Sequence, residues 1–209
     1  MLNLNNDMGM YVINDTIIND IYTLLYNVGE FDSEYEIEFN TECLNEGYNF
    51  SFTENKIADR FLECTINTPF FIDLDDDDTM WFINRYFDYI YEQFFIDARA
   101  LALVNNINLA DMFTVFALLH ELGHMQQCIE DFSKYGKFHK NLAEYGNYKK
   151  SMQMLKNKNQ YTKEKHFVAY RKISLELNAD TRMINLFTKY RTAILNIVKN
   201  AQDKTEIFF

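Results

Sequence analysis

Proline is almost absent from this 209-residue chain (Pro69 alone) and glycine is scarce, with six. That composition excludes a linker-rich or disordered polypeptide. No run approaches the roughly 20 apolar residues of a membrane-spanning helix. The most apolar stretch, Met112 to Leu119, contains Thr114 and is followed at once by His120-Glu121. The first residues, MLNLNNDMGMYVIND, lack the basic start and apolar centre of a secretory signal. Three cysteines, Cys43, Cys64 and Cys128, show no C-x-x-C spacing. They suggest neither a disulfide framework nor a cysteine zinc site, and they read as reduced thiols of a cytoplasmic protein.

Apolar residues are plentiful at 48%, including 19 Phe and 14 Tyr. This is enough for one domain, residues 1–209, with a substantial core. The net charge of -11 divides unevenly: residues 1–132 carry 4 Lys+Arg against 25 Asp+Glu, and residues 133–209 carry 16 against 6. The basic segment reads as a solvated cover or as a surface for an acidic partner, and nucleic-acid binding is not predicted. The 23 asparagines and the shortage of proline fit an AT-rich genome, bacterial or phage.

Asn14-Asp15 is placed to cap a helix in which Ile17, Ile18, Ile21, Leu24, Leu25 and Val28 recur at helical spacing, with Gly29 as its stop. Ser33 to Asn40 alternates Tyr35, Ile37 and Phe39 with Glu34, Glu36 and Glu38, which predicts a half-exposed strand. Tyr48, Phe50 and Phe52 alternate likewise, and Asn45-Glu46-Gly47 between them predicts a hairpin. A third strand falls within Phe61 to Ile72, with Pro69 at an edge or an end. The acidic run Asp73 to Asp78 lacks the glycine and final glutamate of a calcium loop and reads as a solvated turn. Helical spacing predicts one helix over roughly Thr79 to Val104, a second from about Asn108, and a third over about Thr162 to Lys199. Residues 133–162, with Gly136 and Gly146, read as a basic insertion of broken helices. The fold class expected is α+β, a small N-terminal sheet followed by a mainly helical half that carries the chemistry.

That chemistry is concentrated in His120-Glu121-Leu122-Gly123-His124. Residues four apart share a helix face, so both imidazoles reach one metal ion. Glu121 lies about 100° round the helix, beside the ion, where it can take a proton from zinc-bound water. With 4 His and 15 Glu in the chain, the three positions coincide by accident in roughly 0.5% of such compositions.

A catalytic zinc needs a third protein ligand. His139, His166 and carboxylates of a second helix are the candidates, and Glu176-Leu177-Asn178-Ala179-Asp180 answers the need best. Glu176 and Asp180 share a helix face, so Glu176 can bind the ion while Asp180 accepts a hydrogen bond from a ligand histidine, His120 by expectation. Ala179 keeps that face small where two helices must approach. Glu130, six residues after His124, is rejected, since Gln126-Gln127-Cys128-Ile129 continues the helix and carries it away.

These two segments together resemble the gluzincin class of zinc metallopeptidases. The second is similar to the Glu-x-x-Ala-Asp/Asn pattern of ImmA/IrrE-type peptidases, and a related pattern occurs in the CAAX-processing type. The resemblance covers the two motifs and their helices. The 51 residues between them (125–175) are a longer interval than the ImmA/IrrE pattern implies. It implies a zincin-like fold, one zinc ion per chain, His120, His124 and Glu176 as ligands, Asp180 behind them and a protein or peptide substrate. A donor for the oxyanion is also needed. Tyr135, His139, Tyr145, Tyr148, Tyr161, His166 and Tyr170 lie between the motifs, and His166 is the choice among them. An exposed sheet edge before His120 is expected to hold substrate backbone, with the 133–162 insertion shaping the cleft. The expectation is a zinc endopeptidase acting on a specific protein. The alternative is a phage or bacterial binding or structural protein that retains the scaffold without proteolysis.

Overall fold

A computed structural model of the chain describes residues 9–44, 50–138 and 142–205. It is α+β, with a small sheet in the N-terminal half and a helical C-terminal half. The first strand, β1 (Met10–Val12), pairs antiparallel with β5 (Phe71–Asp73). Between them come α1 (Asp15–Asn27) and the strands β2 (Glu36–Leu44), β3 (Ser51–Ala58) and β4 (Phe61–Pro69). Asn14 caps α1 by accepting from the Thr16 amide, and Gly29 follows it at φ 80, as the sequence pattern predicts.

The expected hairpin between the second and third strands is not formed. The order is β2-β4-β3, with β2 parallel and β3 antiparallel to β4. The reason lies in burial and in turn length. Leu62, Cys64 and Ile66 are fully buried with Thr68 beside them on one face, and Thr65 and Asn67 on the other face are buried too, so β4 takes the centre. β3 and β4 meet through the two-residue Asp59-Arg60 connection, while β2 keeps its glutamates outward at the edge. The expected Asn45-Glu46-Gly47 turn lies outside the described residues. Pro69 ends β4, where its missing N–H costs least.

The helical half departs from the expected boundaries at three points. The first predicted helix is two, α2 (Asp77–Phe94) and α3 (Ala98–Asn105). Phe95 turns into the left-handed region at φ 58, and Asp97 caps the new helix by accepting from the Ala100 amide at 2.9 Å. Next, α4 (Leu109–Tyr135) ends at Gly136 (φ 67), yet α5 (Leu142–Asn157) runs straight through Gly146. The last predicted helix is again two, α6 (Lys163–Arg171) and α7 (Ser174–Thr205). The break is held from outside: Glu144 on α5 accepts from the Ser174 amide at 2.9 Å and from the Ser174 hydroxyl, acting as a cap donated by another helix. The acidic run 73–78 closes a turn, and Asp76 caps α2 by accepting from the Thr79 amide at 2.7 Å.

Nearly every residue of α4 from Ala110 to Met125 is buried, so this helix is the axis of the core. It begins at a buried carboxylate: Asp111 accepts from Tyr11, from Asn108 at 2.8 Å and from Gln202 at 2.5 Å. These bonds tie both ends of the described chain to the helix that carries the motif. Among the described residues no helix is long and apolar enough to cross a membrane.

Candidate metal centre

His120 and His124 stand one turn apart on α4, and Glu176 lies in the first turn of α7. One ligand atom from each lies within 4.8 Å of the others, and all three residues are buried. His120 Nε2 is 3.2 Å and His124 Nε2 3.6 Å from the same oxygen, Glu176 Oε2. The two rings sit edge to face with centroids 4.7 Å apart. The group could hold a metal ion.

The opposite side of each ring is committed to an acceptor. His120 Nδ1 meets Asp180 Oδ1 at 2.8 Å, as the i, i+4 spacing of Glu176 and Asp180 led us to expect. His124 Nδ1 meets Gln127 Oε1 at 2.8 Å. Gln127 is oriented in turn, since its amide donates to the Leu175 carbonyl at 3.0 Å. Its oxygen must therefore face His124, which puts an imidazole proton on Nδ1 and turns Nε2 toward Glu176.

Asp180 is fully buried, and it is surrounded by donors. Arg171 of α6 donates from Nη1 at 3.1 Å and Tyr89 of α2 donates its hydroxyl at 2.8 Å. Burial would raise the Asp180 carboxyl, but the Arg171 and His120 charges and these hydrogen bonds hold it below its ordinary value. Glu176 behaves alike: burial opposes ionisation, and the hydrogen bonds and charges of His120 and His124 prevail, far below the carboxylate range. Its second oxygen, Oε1, accepts from the Tyr145 hydroxyl of α5. For His120, burial pushes the imidazole down, but Asp180 and Glu176 outweigh it and lift it to about 10. A cation seated among the three ligands would displace the proton on Nε2 and keep the one on Nδ1.

Glu121 takes no part in the bonds that Asp180 and Gln127 make to the rings. It lines a cleft of about 640 Å³ together with His120 and Glu176. Burial raises its carboxyl above the ordinary value, against the lowering pull of His120 and His124. The arrangement provides a proton acceptor beside, and not within, the ligand set.

The sequence candidates outside this group divide plainly. His166 lies on α6 at the cleft wall, its ring nitrogen 2.5 Å from the Tyr148 hydroxyl. Tyr148, Tyr161 and Tyr170 line the same cleft, so segment 133–162 does help to shape it. Tyr135 is half exposed at the end of α4. His139 lies outside the described residues. Glu130 faces Arg182 with both oxygens at 2.7 Å, away from the ligands, as α4 continuing past His124 requires. Gln126, beside the motif, donates to the Glu30 carbonyl and carboxylate at 3.2 and 3.1 Å.

Four residues of the site were not singled out for their observed roles from the sequence: Tyr89, Gln127 and Arg171 were not proposed at all, and Tyr145 only as an oxyanion donor. Gln127 had a signal, being a polar residue three positions after a ligand histidine on one buried helix. Tyr89 and Arg171 had none, because they reach Asp180 from separate helices whose packing no local spacing encodes. No family model, curated protein or solved structure matches the chain.

Proposed function

We propose that this chain is a zinc-dependent endopeptidase of zincin-like fold, similar to the gluzincins, that hydrolyses peptide bonds of a specific protein substrate. The observation that carries this reading is the convergence of His120, His124 and Glu176, with Glu121 buried on the same cleft. Two imidazole nitrogens and one carboxylate suit a borderline cation such as zinc, whereas calcium and magnesium take oxygen donors. Three protein ligands are the number found in hydrolytic sites, which keep a position for water or substrate. Bound zinc would supply Lewis acidity, polarising the scissile carbonyl and making water acidic.

The chain's own groups do the rest. Glu121 accepts the proton of the attacking water and returns it to the leaving amine; its burial-raised carboxyl suits it to both duties. Asp180 and Gln127 hold the two rings in register, and Arg171 offsets the charge that Asp180 brings into the core. Among the described residues β3 pairs with β4 alone, so its outer edge offers backbone groups to an extended substrate. His166 and Tyr148, bonded to each other in the lining of the same cleft, supply a donor for the carbonyl oxygen.

Metal analysis of the purified protein beside His120→Ala, Glu176→Ala and Glu121→Gln tests the proposal. We expect one zinc per chain in the wild type and in Glu121→Gln, and loss of metal in the other two. Cleavage of protein substrate should fall by at least about a hundredfold in Glu121→Gln. Wild-type zinc content in Glu176→Ala would remove the third ligand. Wild-type cleavage by Glu121→Gln would remove the base. Zinc retained with no cleavage of any protein by the wild type would leave a binding scaffold.

A further inference from the structure

We infer that the cleft beside the metal-ligand group is a side-chain pocket that selects substrates carrying a large aromatic residue next to the bond to be cut. The inference rests on the peptidase reading for the backbone of the ligand, but its physical basis lies in the cleft walls. Away from His120, Glu121 and Glu176, much of the wall is aromatic rings. Phe50 meets Phe113 edge to face at 6.3 Å, Phe113 meets Phe82 at 6.1 Å, Phe82 meets Phe167 at 5.8 Å, and Phe167 meets Trp81 at 6.4 Å. All five line the same cleft, and Phe50, Phe82 and Trp81 remain partly exposed. An entering ring continues this edge-to-face series, an attraction beyond simple burial that an aliphatic side chain does not share.

Size and charge point the same way. About 640 Å³ falls within the roughly 300–1,000 Å³ of pockets that engulf a small organic group. The cations at the cleft are committed: Arg171 to Asp180, and Lys163 to Asp78 at the rim. An acidic side chain entering among the rings would lose its water, find those cations already paired, and face Glu121 and Glu176. A peptide, not a free aromatic molecule, is favoured by continuity with the sheet. Ser51 opens the edge strand β3 directly after Phe50, so a chain laid along that edge delivers a side chain to the first ring of the series.

Trp81 is the only tryptophan of the protein, which makes it a reporter inside the pocket. The experiment titrates the full-length Glu121→Gln protein with blocked hexapeptides of mixed flanks whose central residue is Phe, Leu or Ala. Trp81 emission is followed, with calorimetry in parallel. We expect a saturable emission change with the Phe peptide and an affinity about ten- to a hundredfold weaker for Ala. Ala117→Leu, which adds bulk to the cleft wall, should weaken the Phe peptide at least about tenfold while the circular dichroism spectrum is unchanged. If that variant does not fold, Phe50→Ala at the strand edge takes its place. Equal affinities for Phe and Ala, an emission unmoved by a peptide that calorimetry shows to bind, or no binding of any peptide would overturn the inference. The titration needs neither metal nor turnover, so its failure is separate from failure of the zinc reading.

Discussion

Gly123 of α4 packs directly on the backbone of Ala179 of α7, between the helices that carry the ligands. A methyl group placed on Gly123 would stand 2.7 Å from the Ala179 carbonyl oxygen and 3.2 Å from its Cα. Both are backbone atoms, so neither can rotate aside. Gly123→Ala therefore forces α4 and α7 apart, at a cost of about 1–3 kcal/mol that exceeds the gain of at most about 1 kcal/mol in helix propensity. We expect a lower melting temperature and, because Glu176 moves with α7, metal affinity reduced by more than tenfold. Equal zinc titrations for Gly123→Ala and the wild type would show that the contact does not set the ligand distance.

Asp180 and Gln127 fix the rings and stand outside the ligand group. Asp180→Asn or Gln127→Leu should leave all three ligands in place and weaken metal binding about 10- to 100-fold, the usual range for partners behind a ligand histidine. Competition with a chelating dye measures this directly. The Asp180 variant should be the weaker of the two, since Asp180 brings a full charge to His120.

Arg171 is the buried counter-charge of Asp180, with its side chain about 10% exposed. Arg171→Met leaves that carboxylate in the core with only His120 and Tyr89. Removing one partner of a buried pair typically destabilises by about 3–5 kcal/mol. Urea denaturation of the metal-free protein should show it, and the double variant Arg171→Met/Asp180→Leu should recover part of the loss.

Glu30 offers a pH test far from the ligands. It accepts from Lys189 and from Tyr190, each at 2.6 Å, and from Gln126. Burial would raise its carboxyl, but those bonds and the Lys189 charge set it below the ordinary value. A depressed acid stabilises the fold above its unfolded pKa of about 4.3 and loses that contribution as pH falls through the folded value. The wild type should therefore melt above Glu30→Gln at pH 7, and the gap should close below about pH 4. A gap unchanged from pH 7 to 3 would contradict this assignment.

Much of the fold was legible where the code is local. Asn14, Asn108 and Gly136 stand where caps belong, and the alternation of Ile37 and Phe39 with Glu36 and Glu38 marked a half-exposed strand. The strand order was not legible, because β4 claims the centre by being buried on both faces. The ends of α3, α6 and α7 were blurred for a related reason. Helical spacing continues through Phe95 and through Lys172-Ile173, and only Asp97 and the distant Glu144 decide where new helices start.

By itself the sequence determined that His120 and His124 share one face, that Glu121 lies beside it, and that Glu176 and Asp180 share another. Periodicity suffices for that, since one helical turn brings residues four apart together. Tertiary packing alone decided that the two faces meet across Gly123 and Ala179. It also decided that Gln127 orients His124, and that Arg171 and Tyr89 come from other helices to keep Asp180 charged. Contacts between helices depend on the packing of the whole core, which no local spacing records.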